Sequence, residues 1–595
     1  MNQIFHNTNL TVNQLIEKID TGELGLPELQ RPFLWKDAQV RDLFDSMMRG
    51  YPIGYLMLWE CPFLEKKKTI GVSNHSYEEP KEVIIDGQQR MTSLYAVMKG
   101  KKVIDKNYKE KSITISYNPL QNKFEVANQA IKKNPEWIYN ISEIFTTTNS
   151  HKYITNFTIQ LRQYRETKGA QLTEAEEDLV QEHINTVSNL KNHNLPVFNI
   201  KADTDEEDVS EIFVRVNSAG ESLKQNDFIL TLLALYWNEG RKQIESFSKE
   251  STSPSHEVNA YNHITSVEPQ DIIRVVMAYA FNRARLKYGY KLLRGVDFEK
   301  RVMDQTLREE RLEILKNKLP DVLNVHNWHE FLKAIMNAGY LAHDMISSGN
   351  AIFYSYALYL IAKYRFGVSD NDNMHLTSLW FFYAQLASIY TSGSFETTVE
   401  KHLNAIKEIN SSEEYRNFIF SRIEEHLTND FFSITLVGTE GLNVSGHGNN
   451  AWNAYVASLN ILNPRVLFSK GNLLVSKLFD PTTRGHRKSL EKHHLFPKAY
   501  LKSLGYHDNK INQIANYAYI DWKDNMEILD EAPSIYYSII CQDKSQEDIR
   551  AMEEDNALPF GWEKMSYEDF LIERRKLMAV KIKKAFEILK ESAKR

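Results

Sequence analysis

Residues 84–99 read IIDGQQRMTSLYAVMK. Two β-branched residues, a polar turn holding Asp86, Gly87, Gln88, Gln89 and Arg90, and then a segment of helical character follow one another without a spacer. A strand that runs into a helix at a glycine presents unpaired backbone N–H groups and the positive end of the helix dipole, which suits a phosphate or another anion. Arg90 can add a bidentate contact, and Gln88 and Gln89 can hydrogen-bond a sugar or base. An ordinary capped turn with solvated side chains reads the same way in isolation, so the rest of the chain has to decide between the two.

At 595 residues the chain exceeds what one core holds, and several domains are expected. Apolar residues make up 42%, ample for packed interiors. The two cysteines, Cys61 and Cys541, form no CxxC pair and suggest a reduced, intracellular setting. The opening MNQIFHNTNLTVNQLIEKI lacks a basic region followed by an apolar block, and no stretch reaches the roughly 18 apolar residues of a membrane span. The expectation is a soluble, cytoplasmic protein with no membrane partner. A net charge of −6 argues against a chain coated in basic charge, yet permits a local basic groove.

The first third reads as mixed α/β. TVNQLIEKI spaces its apolar residues as a helix, KEVIID, SITISY and LPVFNI read as short strands, and DAQVRDLFDSMMRG reads as a helix closed by Gly50. From about Ile229 to Leu427 the pattern becomes long helical stretches such as DIIRVVMAYAFNRARLKYGYKLL and AIFYSYALYLIAKYRF. GTEGLNVSGHGNN then reads as a loop, followed by a shorter mixed segment and a final charged amphipathic helix near 567–594. The expected organisation is a first domain over 1–235, a helical connecting domain over 236–440 and a last domain over 441–595.

Two further stretches weigh on the opening turn. LPELQRPFLW, residues 26–35, holds Gln30 and Arg31 between two prolines and before an aromatic pair. EIFVRVNSAGESLKQNDF, residues 211–228, places Arg215 and Asn217 before a Gly220 turn. In this order the three resemble the N-terminal domain of the GmrSD-type family, whose fold is similar to the ParB and sulfiredoxin nucleotide-binding domains and whose hallmark is the DGQQR turn. The resemblance implies a nucleoside triphosphate site. It carries Asp86, Gly87, Gln88, Gln89 and Arg90 over as hydrolysis and phosphate-contact residues, with Gln30, Arg31, Arg215 and Asn217 as further candidates. The nucleotide is GTP, ATP, CTP or UTP, and no Walker-type GxxxxGK[ST] is present.

The C-terminal region supplies a second chemistry. LEKHHLFPKAYL, residues 490–501, contains adjacent histidines, and NQIANYAYIDWKDNMEI, residues 512–528, brings Asn516 and Asn525. Metal-assisted phosphodiester hydrolysis needs a general base, a divalent metal and a polar group that holds the base. Neighbouring strand residues point to opposite faces, so His493 and His494 converge on one phosphate only if the strand ends or bends there. The ordered set resembles the His-Asn-His (HNH, ββα-metal) nuclease signature, in particular the nuclease domain of the same GmrSD-type family. That resemblance implies His494 as general base, His493 and Asn525 as metal ligands, and Asn516 as the residue orienting the base or its loop. Many members have Glu or Asp where this chain has His493; histidine is a competent ligand for Mn²⁺, Ni²⁺ or Zn²⁺, whereas Mg²⁺ would rest more on waters and substrate oxygens. Arg484, Arg487, Lys488, Lys492, Lys498 and Lys502 surround the histidines as a groove for phosphates would require.

The expected fold is a multidomain α+β protein with an N-terminal ParB/sulfiredoxin-like α/β domain, a mostly helical middle, and a C-terminal ββα-metal nuclease domain with helices. The implied activity is an NTP-dependent type IV restriction endonuclease that senses modified double-stranded phage DNA and cleaves it. A homodimer is left open. The competing readings are a nucleotide-gated DNA-binding regulator with an inactive nuclease site, and an RNA-cutting toxin.

Overall fold

The computed structural model describes residues 4–595 apart from 26–32, 34, 61–81, 105–109, 203, 205–207, 209–211, 213–228, 231–232, 234–235, 294, 298–303, 392, 447–448, 470–472, 479–489 and 522–530. The chain forms two compact units, Met1–Tyr236 and Trp237–Arg595.

In the first unit, strand β1 (Phe5–Thr11) runs directly into helix α1 (Val12–Asp20). Thr11 makes the switch, because its hydroxyl accepts from the Gln14 N–H while the Gln14 side chain accepts from the Thr11 N–H, a reciprocal capping box. Val12, Leu15, Ile16 and Ile19 are buried on one helical stripe. After β2 (Leu24–Gly25) comes helix α2 (Asp37–Met48), which ends at Arg49 and Gly50, the latter at φ +70°. Strands β3 (Leu56–Glu60) and β4 (Glu82–Asp86), helix α3 (Gln88–Lys99), and the small hairpins β5 (Lys102–Ile104) with β6 (Glu110–Ser112) and β7 (Ile115–Asn118) with β8 (Lys123–Val126) follow. Strand β9 (Asn194–Ile200) completes a five-stranded sheet ordered β1-β9-β3-β4-β2. Its pairs are antiparallel at β1/β9 and β3/β4 and parallel at β3/β9 and β2/β4.

The strand period sorts the core. Leu56, Leu58 and Ile84 enter the larger core with α1, α2 and α3, while Met57, Trp59 and Ile85 gather with Ile200 in a smaller cluster.

The second unit is mainly helical. The stretch DIIRVVMAYAFNRARLKYGYKLL is expected as one continuous helix, but it divides into Pro269–Phe281 and Leu286–Leu293. Asn282 breaks it by adopting φ +51°, a left-handed cap that asparagine tolerates. Helices 349–364 and 370–386 pack together and are buried on nearly all sides. Such apolar, enclosed helices form a unit's centre. Among the described residues, no helix is long and apolar enough to cross a membrane. Residues on both sides of position 440 pack in this unit, since helix 450–462 and the last helix, 567–594, both lie against helix 370–386.

The last helix buries Phe570, Arg574, Met578, Ile582, Phe586 and Leu589 at three- and four-residue intervals. Its Arg574 is 1% exposed and donates from Nη1 to the Ala515 carbonyl at 2.6 Å. Strands β10 (Leu490–His494) and β11 (Tyr517–Asp521) form an antiparallel pair in this unit with His494 opposite Tyr517. Ile582→Ala is expected to cost about 2–5 kcal/mol by leaving a cavity in a fully enclosed site, seen as a lower urea midpoint for the second unit. A shift within about 0.5 kcal/mol would mean that the helix does not anchor the core.

Candidate functional sites

The strand-to-helix turn forms where β4 ends at Asp86. Gly87 takes φ +91°, and a Cβ there would overlap the Leu56 side chain of the neighbouring strand. Both facts require glycine. The first intrahelical bond runs from the Met91 N–H to the Gly87 carbonyl at 3.0 Å, and no side chain caps the helix start. The turn therefore offers the end of a helix dipole, which favours negative charge.

Arg90 occupies a different place from that of an outstretched phosphate ligand. Its Nη1 donates to the carbonyls of Ile53 (3.0 Å) and Tyr55 (2.7 Å), and its Nη2 lies 3.7 Å from Asp86 Oδ2. Gly54, at φ +90°, leaves the room for this, because a Cβ there would collide with the guanidinium. Gln88 Nε2 donates to the Ile84 carbonyl at 3.1 Å, folding back onto the strand it follows. Arg90 and Asp86 stay about one-fifth exposed, so the pair remains within reach of a ligand. Tyr55, which sequence reasoning missed, borders the turn: its phenol is pushed up first by burial and then by the Asp86 charge. Its ring packs edge-on against Phe198. Only its place between Gly54 and a strand could have singled it out. Gln30, Arg31, Arg215 and Asn217 lie outside the described residues.

The histidine site forms where β10 stops. The ladder extends one step past His494, with the Leu495 N–H on the Asn516 carbonyl at 2.8 Å. Beyond it, the Asn516 side chain takes over. Oδ1 accepts from the Phe496 N–H at 2.8 Å, while Nδ2 donates to the carbonyls of Phe496 and Ile511, each at 3.1 Å. Asn516 is fully buried, so it holds the loop and presents nothing to a substrate. Tyr536 adds a second tie, donating to the Leu495 carbonyl at 2.5 Å, with its phenol pushed up by burial.

His493 and His494 leave the strand on opposite sides, as alternation demands. The ring of His494 lies 4.5 Å from that of Tyr517, and the ring of His493 stands edge-on to Tyr536 at 6.3 Å. His494 Nε2 is 3.1 Å from Asn512 Oδ1, an asparagine not flagged from the sequence because nothing distinguishes it from its neighbours in NKINQIANY. Arg574 supports the same loop from below; burial pulls its guanidinium down, and Tyr455 opposes that shift.

Lys498 and Lys502 are exposed and lie 3.3 and 3.5 Å from Asp508, which the Lys498 ammonium holds below the usual carboxylate range. Exposed pairs of this kind contribute little, so phosphates can displace the carboxylate. Lys492 pairs with Tyr519 in the strand register, while its side chain, with Arg484, Arg487, Lys488 and Asn525, lies outside the described residues. Of the two expected metal ligands, His493 is described and Asn525 is not, and among the described residues no group of three or more His, Cys, Asp or Glu side chains is placed to hold a metal ion.

Residues 12–234 match the family model described as the N-terminal domain of GmrSD restriction endonucleases. That stretch, with its glycine turn, is similar to the N-terminal domain of this GmrSD-type family. Over 575 residues, 90% of this chain and 87% of the relative, the chain is 20% identical to an uncharacterized protein of Methanocaldococcus jannaschii.

Because Arg90 closes two backbone carbonyls and Gln88 only one, Arg90→Met is expected to cost about 1–3 kcal/mol and Gln88→Ala about 1 kcal/mol. Urea unfolding of the first unit tests the ranking, and the reverse order would show that the guanidinium is not the clamp.

Proposed function

We propose that this chain is an NTP-dependent type IV restriction endonuclease that senses modified DNA and cleaves it by metal-assisted hydrolysis in defence against bacteriophage. The observation that carries the proposal is the family match over residues 12–234, a stretch containing the uncapped helix start at Gly87.

In this reading the N–H groups at the start of α3 receive the nucleotide's phosphates. Asp86 and Arg90 sit beside them, Gln88 and Gln89 serve hydrolysis, and Gln30, Arg31, Arg215 and Asn217 complete the pocket. The second unit cuts. His494 takes the proton of the attacking water, Asn516 keeps the loop after it in place, and His493 with Asn525 would hold a divalent cation. When bound, that cation supplies positive charge at the phosphate and its leaving oxygen. Arg484, Arg487, Lys488, Lys492, Lys498 and Lys502 neutralise the DNA backbone.

Digestion of modified and plain phage DNA, with and without each NTP, is the direct test. NTP-dependent cleavage confined to modified DNA is expected, and NTP-independent cutting of plain DNA would overturn the reading. His494→Ala should lower cleavage by at least about 100-fold with NTP hydrolysis retained, since a general base contributes that much. High Mn²⁺ should partly restore His493→Ala and Asn525→Ala but not His494→Ala, because added metal cannot replace a base. Equal rescue of all three would mean that the roles are divided wrongly. In the first unit, Arg90→Ala should weaken NTP binding more than about tenfold, the worth of a charge-assisted contact together with its support of the turn. Calorimetry showing wild-type affinity would remove the turn from the nucleotide site.

A further inference from the structure

We infer that Asn512 positions His494, fixing the imidazole in the tautomer that carries hydrogen on Nε2 and leaves Nδ1 as its basic nitrogen. The inference rests on the reading of His494 as the general base, and adds the residue that orients it and the ring atom that accepts the proton.

The carbonyl oxygen of an asparagine amide offers only lone pairs. His494 Nε2 lies 3.1 Å from Asn512 Oδ1, so the hydrogen of that contact sits on the imidazole. A neutral ring protonated at Nε2 keeps its basic lone pair on Nδ1. The Tyr517 hydroxyl donates to the same Oδ1 at 3.1 Å, while its ring lies against the imidazole. Asn512 therefore receives two donors that belong to one pair of packed rings, which fixes the imidazole's plane as well as its tautomer.

The backbone of Asn512 is held independently of this contact. Its N–H reaches the Asp508 carbonyl at 2.9 Å, and its carbonyl accepts from the Gly446 N–H at 2.9 Å. Asn516, by contrast, spends its side-chain bonds on the Phe496 and Ile511 backbone. The two asparagines thus have separate roles, since Asn516 holds the loop and Asn512 holds the base. In the reaction, the water proton passes to Nδ1 and the water oxygen bonds to phosphorus. The bond to the leaving oxygen breaks, and that oxygen takes a proton from solvent. The imidazolium keeps its Nε2–H on Asn512, which stabilises the charge it has gained.

The test uses the full chain labelled with ¹⁵N-histidine. His494 is identified by the resonances lost in His494→Ala, and spectra are taken at about pH 8, above the ordinary imidazole range. Wild type and Asn512→Asp, which keeps an acceptor oxygen, should show the Nε2–H tautomer. Asn512→Leu should show a mixture. A wild-type ring protonated at Nδ1, or an unchanged ring in Asn512→Leu, overturns the inference whether or not the chain cuts DNA.

Single-turnover cleavage of modified phage DNA is the second readout. Asn512→Leu should cleave roughly 10- to 100-fold more slowly at unchanged DNA affinity, in line with the loss of a histidine-orienting partner, and Asn512→Asp should recover most of that. Full activity in Asn512→Leu with an inactive His494→Ala defeats the positioning role alone. Wild-type activity in His494→Ala defeats the general-base reading itself, and the tautomer spectra still decide what Asn512 does.

Discussion

A strand that stops inside a packed unit leaves N–H and C=O groups that its ladder no longer pairs, and both candidate sites are organised around that problem. At the end of β10 the Asn516 amide takes the place of the missing strand, bonding Phe496 through both its oxygen and its nitrogen. Before β3, the Arg90 guanidinium closes the carbonyls of Ile53 and Tyr55. Leaving such a backbone group without a partner costs up to about 1–3 kcal/mol where it is buried, so these side chains stabilise the turns they close. Functional residues placed next to such turns inherit their rigidity.

The same accounting explains the glycines at and beside the strand-to-helix turn. Gly87 must approach Leu56 and Gly54 must approach Arg90, in each case closer than a Cβ allows. Both also take positive φ. Sterics and backbone conformation agree at each position, and a turn that satisfies both has one stable geometry. A preformed helix start of that kind can receive phosphate without the ordering cost that a loose loop would incur.

Much of this was legible in the sequence. The β-branched run and the glycine in IIDGQQR locate β4 and Gly87, because each has a strong local preference, but the polar residues read as turn through Arg90, whereas α3 already begins at Gln88. The role of Arg90 was not legible, since its partners lie on another strand and local pattern says nothing about them. The break at Asn282 was missed because its left-handed cap interrupts an otherwise continuous helical pattern in a residue type that also occurs inside helices. Asn516 stood out through its spacing from the histidines. Asn512 did not, because what distinguishes it is a contact to His494 that exists only once β10 has been brought to the end of helix 508–511.

The last helix shows the same limit from another side. From its sequence, Arg574 belongs to a charged amphipathic surface, with packing of the apolar face as its expected role. In the fold it is enclosed, and an enclosed cation is expensive unless polar groups surround it. The Ala515 carbonyl and the nearby Tyr455 and Tyr536 supply those groups. Tyr536 in turn holds the Leu495 carbonyl. A helix more than fifty positions downstream in the chain thereby holds the Ala515 side of the loop between the histidines and Asn516, while Tyr536 holds its Leu495 side. A displacement of its register would move Ala515 with it, so the geometry around His494 depends on how the last helix packs.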